Sequence, residues 1–376
     1  MARSVATPRV FWLGLLTAFL LVFPFLHSLP VASQFITEYR TFNATMFAVW
    51  LLVVLSMNLL TGYSGQISLG HAAVVLIGAY STGIFFDQYG LPLGLAILLA
   101  GLLTGLIGGI VIGLPAVRLA GPYLAIATFS LIITLPQILK LNLIDGWTNG
   151  ARGIRIEQIS PPGFVDGFLD DAQWLYYTAM TTAVLMVIIA WFLIQSPIGR
   201  AFVAVRESEI ASTAAGINVP FYKALAFAIS SLYAGVAGGL FFMVQGFVSP
   251  ESMGFFDSIL FLVAVVIGGL GTILGSVFGA LFLTFQAELI SKLGSVIPEA
   301  QTLRGAIYGA ILIVTMVAFP RGVAGFVQRL PGWISSGAWR SFGKGDFTAK
   351  RFQNVLSLLG MERLGRSKSN DDEHGS

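Results

Sequence analysis

The amino-acid sequence is dominated by long uncharged apolar stretches separated by short polar ones. A helix needs about 20 apolar residues to cross the hydrocarbon core of a bilayer. Only 10% of the 376 residues are charged, whereas soluble domains carry ~25%, so the sequence predicts an all-α membrane protein. The clear candidate spans are residues 10–30, 44–60, 72–86, 93–114, 122–139, 174–194, 224–245 and 305–319.

Residues 258–289 form one further apolar segment, which is too long for a single ordinary span. Four glycines interrupt it, so we predict two short helices joined by a tight turn, and about ten transmembrane helices in all. Basic residues mark the cytoplasmic side, and both chain ends are basic, which requires an even number of spans. The glycines are Gly268, Gly269, Gly271 and Gly275, and the N-terminal cations are Arg3 and Arg9.

The charge distribution predicts the two domains and their sidedness. Beyond residue 320 there are nine Lys or Arg against five acids, whereas the preceding residues have a net charge of −1. A basic patch is also typical of nucleic-acid binding, but beside an apolar body it indicates the cytoplasmic side, so no nucleic-acid partner is expected. Residues 1–325 are predicted to be the transmembrane domain, with a cytoplasmic loop at 195–223 and an external loop at 142–173. Residues 326–376 are predicted to be a polar cytoplasmic tail.

The first apolar stretch has an alternative interpretation. Arg3, Arg9, the apolar core and the small residues at 31–33 also fit a cleavable signal peptide. Its removal would leave an odd number of spans. We expect an uncleaved first helix, which places both termini in the cytoplasm.

The densest polar stretch within the apolar body runs from Asn58 to His71. Its Gly62-Tyr63-Ser64-Gly65 run is also the G-x-S-G pattern of rhomboid intramembrane proteases, in which a serine is paired with a histidine on another helix. Neither His71, on the same segment, nor His27 is placed to activate Ser64 as a base. The glycines favour a broken or re-entrant helix. Its polar residues either line a solute pathway or form a clasp between helices, and they are Asn58, Ser64, Gln66, Ser68 and His71.

The loop 195–223 carries the second concentration of polar residues. Its alanines and acids favour a short helix, Gly216 suits the C-terminal cap of that helix, and Pro220 prevents continuation. We predict a helix that lies along the cytoplasmic face and docks on a partner. An ordinary connecting loop is the alternative.

The positions of the ionisable residues argue against several transport mechanisms. Asp257, Glu288 and Lys140 lie at predicted helix ends, whereas ion-coupled carriers normally place such groups at mid-depth. The sequence has no G-x-x-x-x-G-K-[ST] loop for ATP, no cysteine and only three scattered histidines. We therefore expect no metal or cofactor in this chain, and a partner that hydrolyses ATP if transport is uphill.

Three ordered motifs resemble those of the permease subunits of branched-chain amino-acid ABC importers, the LivH/LivM type. They are Gly62-Tyr-Ser-Gly-Gln-Ile-Ser-Leu-Gly-His71-Ala-Ala, the run from Arg206 to Val219, and Ile267-Gly-Gly-Leu-Gly-Thr-Ile-Leu-Gly275. The long external loop and His71 look closer to LivM than to LivH. The resemblance implies a type II ABC importer bundle like that of the vitamin B12 permease, which works by alternating access in the bacterial inner membrane.

The resemblance also implies partners. These are a sister LivH-type permease, two ATP-binding subunits that hold ATP and magnesium, and a periplasmic or extracellular solute-binding protein, with membrane lipid around the bundle. Glu209 precedes Gly216 by seven residues where the family's motif has six, so the role of Glu209 itself does not follow from the motif. The residues implied in docking on the ATPase are Arg206, Glu207, Glu209, Ala214, Ala215, Gly216 and Ile217.

The expected solute is a branched-chain or other neutral amino acid. The same architecture also serves urea and short amides, and an intramembrane serine hydrolase is the third alternative. The predicted pathway combines the stretch from Asn58 to His71 with the span 122–139, through Tyr123, Thr128, Ser130 and Gln137.

Overall fold

The computed structural model describes residues 38–119, 121–156, 170–294 and 322–325, together with Gly309 and Ile313. These residues form a predominantly helical bundle with one two-stranded sheet. The predicted first span with its signal-peptide alternative, most of the last span, residues 157–169 of the predicted external loop and the C-terminal tail lie outside the described residues.

The helices coincide closely with the apolar segments that the sequence predicts. α1 (Glu38–Met57) continues as a π-helical turn (Asn58–Tyr63), and α3 (Leu93–Ile107) continues through a π-helical turn (Gly108–Gly113) to Ala116. Strands β1 (Ile154–Arg155) and β2 (Phe247–Val248) pair antiparallel, and Gly150–Arg152 forms a 3₁₀ turn. The other helices are α2 (His71–Asp87), α4 (Pro122–Leu139), α5 (Asp145–Thr148), α6 (Asp171–Gln195), α7 (Pro197–Glu207), α8 (Glu209–Ala214), α9 (Val219–Gln245), α10 (Phe255–Gly268) and α11 (Ile273–Gly294).

Among the described residues, four helical segments are long and apolar enough to cross a membrane. Four shorter apolar helices, namely α2, α4, α10 and α11, accompany them. The architecture is therefore that of a multi-pass membrane protein. The four long segments are Arg40–Tyr63, Leu93–Ala116, Asp171–Gln195 and Val219–Gln245.

The predicted division of residues 258–289 into two helices is confirmed. α10 ends at Gly268 and α11 begins at Ile273. Between them, Gly269 and Gly271 have φ angles of 127° and 70°, which glycine adopts without the steric cost of a Cβ. The tight turn therefore depends on glycines that the sequence analysis identified.

α1 and α9 form the centre of the described bundle. In each of these two segments, 78% of the most apolar stretch is buried inside the protein, whereas the corresponding share is 39% for the α3 segment and 28% for α6. α9 packs against α1, α2 and α3, and α1 also packs against α6 and α11. Large apolar side chains cover the exposed faces of α3 and α6, which suits contact with lipid; they include Leu98, Leu102, Leu106, Ile188, Trp191 and Phe192.

The loops gather at two ends of the bundle, which we name by one residue each. The Glu251 end comprises residues 88–92, 140–156 and 246–254, and the Arg206 end comprises residues 64–70, 196–218 and 269–272. At the Glu251 end, β1 pairs with β2, and Lys140 Nζ lies 2.5 Å from Glu251 Oε1. The hydrogen bond from Lys140 and its positive charge lower the pKa of the Glu251 carboxyl.

Glycines let the central helices approach to backbone contact, as the spacing of small residues predicts. A Cβ on Gly235 of α9 would lie 3.0 Å from the Cα of Gly101 in α3. A Cβ on Gly238 would overlap the carbonyl oxygen of Val75 in α2 and lie 2.8 Å from the amide nitrogen of Ala79. Any side chain at these positions would push the helices apart.

Replacing Gly238 with alanine tests this packing. The added Cβ meets backbone atoms of α2, so α9 must shift, and such overpacking costs about 1–3 kcal/mol. The matched control is Gly94→Ala in the first turn of α3, where an added Cβ has nothing within 4 Å. Thermal unfolding of the purified proteins in detergent should give a lower Tm for G238A only. Equal Tm values for the two variants would contradict the close approach of α9 and α2.

Candidate functional site

The three sequence motifs meet at the Arg206 end of the bundle. The first follows α1, the second comprises the end of α7 together with α8, and the third is the turn between α10 and α11. Side-chain hydrogen bonds join these parts of the chain directly. One of them links Asn58 to Thr272, which lies 214 residues later in the sequence. The junction of the motifs is therefore the candidate functional site.

Asn58, which precedes the first motif by four residues, joins the end of the α1 segment to the third motif. Its Oδ1 accepts a hydrogen bond from the Gly271 amide at 2.8 Å. Its Nδ2 donates to the Thr272 carbonyl at 2.8 Å and to Ser276 Oγ at 3.0 Å, and the side chain is fully buried. A Cβ on Gly62 would overlap Asn58 Oδ1, so glycine at position 62 leaves room for this bridge.

Arg206 joins the second motif to the first. Its Nη1 donates a hydrogen bond to the carbonyl of Gly62, one of the last carbonyls of the α1 segment, which need partners from outside the helix. Its side chain passes Gly65, where a Cβ would lie 2.8 Å from Arg206 Cγ, and its Nη1 lies 3.0 Å from the position of a Cβ on Gly271. One arginine therefore contacts both glycine motifs.

Residues 64–70, which we call the re-entrant segment, turn back into the bundle after the α1 segment ends at Tyr63. At the start of α2, His71 Nε2 is hydrogen-bonded to Ser56 Oγ at 2.7 Å. Ser56 lies seven residues before Tyr63, which is about 10 Å along the helix axis. The chain has therefore turned back into the bundle by about that distance when it reaches His71. The broken helix that the sequence predicts is confirmed, and hydroxyls of α4 and α10 bond its free amides. These bonds join Leu69 to Thr128 Oγ1 at 3.0 Å and Ala72 to Ser258 Oγ at 3.0 Å.

The loop 195–223 contains two helices, α7 and α8. The predicted short helix corresponds to α8, and Gly216 follows it with a φ of 83°, as expected for a glycine cap. Pro220 stands in the first turn of α9. α7 is a helix that the sequence analysis missed, although Ser196 followed by Pro197 is a typical helix start.

An ion pair attaches α8 to α9. Lys223 Nζ lies 2.6 Å from Glu209 Oε1, and the Lys223 side chain is 9% exposed against 53% for Glu209. A buried cation without a partner is destabilising by several kcal/mol, so Glu209 serves to neutralise Lys223. The Lys223 carbonyl also accepts a hydrogen bond from Gln66 Nε2 at 3.3 Å.

Lys223 was not among the predicted site residues. Acids are preferred near the start of a helix, so a single cation there is unusual. This feature could have identified Lys223 from the sequence. The serines Ser56, Ser258 and Ser276 were also missed. A serine within an apolar helix is a typical interhelical hydrogen-bonding group, but its partner cannot be read from the sequence.

Ser64, Gln66 and Ser68 are buried within the re-entrant segment. Ser64 Oγ donates to the Leu60 carbonyl at 2.7 Å and accepts from Gln66 Nε2 at 3.0 Å. His71 is bonded to Ser56 instead. Ser64 and His71 therefore do not form the nucleophile–base pair that a serine hydrolase requires.

The predicted pathway residues of α4 fall on two faces. Thr128 is buried against the re-entrant segment, whereas Tyr123 is 72% exposed, and Ser130 and Gln137 are exposed on a different face. Thr134, which the sequence analysis did not single out, shares that exposed face. These polar side chains alternate on the exposed side of α4 with Ile126, Ile133 and Ile138, whereas the exposed faces of α3 and α6 are largely apolar.

The residues predicted to dock on an ATPase form a largely exposed strip at the Arg206 end. Ile217 is half-buried, and Ile210, which lies among them, is 85% exposed. Arg206 and Glu209 in addition contact α1 and α9 through the bonds described above. The exposed members are Arg206, Glu207, Glu209, Ala214, Ala215 and Gly216.

Apolar exposed helices, a helix broken inside the bundle and an exposed helical loop at one end define a multi-pass membrane permease subunit. The family described as "Branched-chain amino acid transport system / permease component" matches residues 40–316. The chain belongs to this family of ABC importer permeases, whose members are transport components and not enzymes.

Individual relatives agree with the family match. The high-affinity branched-chain amino acid permease LivM of Escherichia coli (strain K12) is 33% identical over 316 residues, which cover 78% of this chain and 72% of that protein. LivM of Salmonella typhimurium is 33% identical over 300 residues, covering 74% and 68%. Escherichia coli LivH is 24% identical over 299 residues, covering 76% and 94%, so the chain is closer to LivM, as its motifs indicate. No solved structure matches the chain.

Proposed function

We propose that this chain is the LivM-type permease of an importer for branched-chain or other neutral amino acids in a bacterial inner membrane. Its partners are a LivH-type permease, two ATP-binding subunits and a solute-binding protein. The names of the relatives support this solute class over urea or short amides. The contact of Arg206 with both glycine motifs carries the mechanism, because it links an exposed loop to the helix breaks.

The proposal includes a ten-span type II fold with both termini in the cytoplasm. Residues 1–325 are then the transmembrane domain and residues 326–376 a cytoplasmic tail. The Arg206 end faces the cytosol, and the loop 142–173 at the Glu251 end faces outward. The bundle of the described residues and the basic residues of the sequence support this orientation.

In this proposal, α7 and α8 dock on the ATP-binding subunits and transmit their motion. Arg206 carries a displacement of the loop to the end of α1 and to the turn between α10 and α11. The ion pair between Glu209 and Lys223 carries the same displacement to α9. Alternating access requires packed helices to move between two discrete arrangements, and these contacts reach the central helices directly.

Arg206→Met tests this transmission. Methionine retains much of the apolar stem beside Gly65 but cannot donate to the Gly62 carbonyl. A charge-assisted hydrogen bond contributes about 1.5–3 kcal/mol, so leucine import should fall by about ten-fold or more. ATP hydrolysis should continue. Both rates are measured in liposomes that contain the importer reconstituted with its partner subunits and solute-binding protein.

The matched control for this experiment is Arg200→Met, on the same helix α7. Arg200 is exposed and donates to the Gln195 carbonyl at 2.9 Å within the loop itself, so R200M should keep both rates. Unchanged import in R206M would contradict the proposed role of Arg206. Equal losses of import and hydrolysis would place its role in assembly instead.

We further propose that the exposed polar face of α4 lines the solute pathway. Polar side chains facing lipid are unfavourable, so Tyr123, Ser130, Thr134 and Gln137 are expected to face water or the sister permease. Thr128, on the buried face, holds the re-entrant segment against α4. The buried polar residues between positions 58 and 71 then serve as a clasp between helices and not as pathway residues; they are Asn58, Ser64, Gln66, Ser68 and His71.

Single cysteines test the pathway, since the chain has none of its own. Ser130→Cys lies on the exposed polar face of α4, and Leu106→Cys replaces a side chain that is 60% exposed on the apolar face of α3. The reactive thiolate forms only where water reaches the sulfur, so S130C should react at least about ten-fold faster with a water-soluble methanethiosulfonate. Equally slow labelling of both variants in the assembled importer would contradict the pathway assignment.

A further inference from the structure

A buried tyrosine of α2 has a hydroxyl without a hydrogen bond. Tyr80 is only 2% exposed, and its hydroxyl has no hydrogen-bond partner among the described residues. Tyr233 of α9 is equally buried, but its hydroxyl donates to the Met186 carbonyl at 3.0 Å. A buried hydroxyl without a partner is destabilising, and such a group in a folded protein needs an explanation.

The packing of α2 places Tyr80 beside the loops of the Glu251 end. One turn further along the helix, a Cβ on Gly83 would lie 3.2 Å from Cδ1 of Ile154 in β1. Ile154 pairs with Val248 of β2, which leads directly into the loop that carries Glu251. The Glu251 carboxylate also acts electrostatically on the Tyr80 hydroxyl. A strong acceptor for this hydroxyl is therefore present in the adjacent loop.

The Glu251 carboxylate is engaged with a different partner. It pairs with Lys140 at the end of α4, and the two side chains are 76% and 30% exposed. Ion pairs at such exposed positions contribute little to stability, so little opposes a change of partner. The backbone of the loop is fixed, because Ser249 and Ser252 are joined by two hydrogen bonds of 2.8 and 3.0 Å. Rotation of the Glu251 side chain is then the change that the exchange requires within this loop.

We propose that Tyr80 is the second partner of Glu251 in the transport cycle. In the described state, the pair of Lys140 and Glu251 ties the end of α4 to the loop before α10 and holds this end of the bundle closed. When α4 moves away, Lys140 is released to water, and the carboxylate accepts a hydrogen bond from the Tyr80 hydroxyl. Each state has one bond that the other lacks, as expected for a switch between two discrete arrangements.

This inference rests on the proposed function and gives Tyr80 a part in it. Tyr80 contacts no solute in this proposal. It is a positioning residue that stabilises the open state of the Glu251 end through Glu251. A charge-assisted hydrogen bond is stronger than a neutral one, so the open state gains the bond that the buried hydroxyl lacks in the closed state.

Thermal unfolding of the purified full chain tests the state of the hydroxyl. Tyr80→Phe removes no hydrogen bond of the described state, so Y80F should keep or exceed the Tm of the wild type. The matched control Tyr233→Phe loses the bond to the Met186 carbonyl and should lower Tm by about 2 °C or more. An equal fall in Tm for Y80F would show that its hydroxyl is already bonded at rest and would overturn the proposal.

Leucine import by the reconstituted importer tests the role of the hydroxyl in the cycle. Y80F should import about ten-fold more slowly, because it cannot form the bond of the open state. Tyr89→Phe, at the end of the same helix and 63% exposed, should import at the wild-type rate. Import by Y80F at the wild-type rate would overturn the role of Tyr80 and leave the importer proposal standing. Absence of import by the wild-type complex would count against the proposed function itself.

Double variants test whether Tyr80 acts through Glu251. In a Glu251→Ala background the hydroxyl has lost its acceptor, so Y80F should slow import no further. In a Lys140→Met background the acceptor is present, so Y80F should still slow import. A ten-fold effect of Y80F in E251A as well would show that Tyr80 acts on another group and would overturn the proposal.

Accessibility of α4 in the assembled importer reports the two states without measuring import. Gln137 lies on the exposed side of α4, less than one turn before Lys140. K140M should raise the rate at which Gln137→Cys reacts with a water-soluble methanethiosulfonate by about two- to five-fold, and Y80F should lower it. Labelling of Ala151→Cys, which is exposed at the same end, should not change. Unchanged labelling of Q137C in both K140M and Y80F would overturn the proposal.

Discussion

The arrangement of this bundle depends on one constraint, which is that backbone amides freed by a helix break inside an apolar protein must be bonded. The break at residues 64–70 frees amides close to the centre of the fold. Thr128 of α4 accepts a hydrogen bond from the Leu69 amide and Ser258 of α10 accepts one from the Ala72 amide at the start of α2, while Ser56 of α1 is bonded to the His71 side chain. These bonds fix where α2 begins and which helices surround it.

The same constraint explains why the three motifs occur together. Glycine at positions 62, 65 and 271 leaves the space through which Asn58 and Arg206 reach the backbone of neighbouring motifs. The exposed loop is thereby attached to α1, to the α10–α11 turn and, through Lys223, to α9. In our proposal Arg206 and Glu209 transmit the motion of the ATP-binding subunits to these helices.

Local sequence patterns were sufficient for the features that depend on neighbouring residues. The apolar segments, the glycine turn after Gly268, the break after Tyr63, and α8 with its cap at Gly216 all follow from composition and spacing. The pairs Ser56–His71, Asn58–Gly271 and Glu209–Lys223 did not follow, because the members of each pair belong to different helices or turns whose contact only the packed bundle decides. For the same reason, the exposed and buried faces of α4 were not separated: Thr128 and Ser130 look alike in sequence and lie on different faces.

The central claim is that the Arg206 end faces the cytosol and docks on the ATP-binding subunits. The most direct measurement is labelling of a single cysteine at Thr213, an exposed residue of α8, with a membrane-impermeant thiol reagent. T213C should be labelled in inverted membrane vesicles and not in intact cells, and co-expression of the ATP-binding subunits should protect it. Labelling from the outside of intact cells would contradict the account.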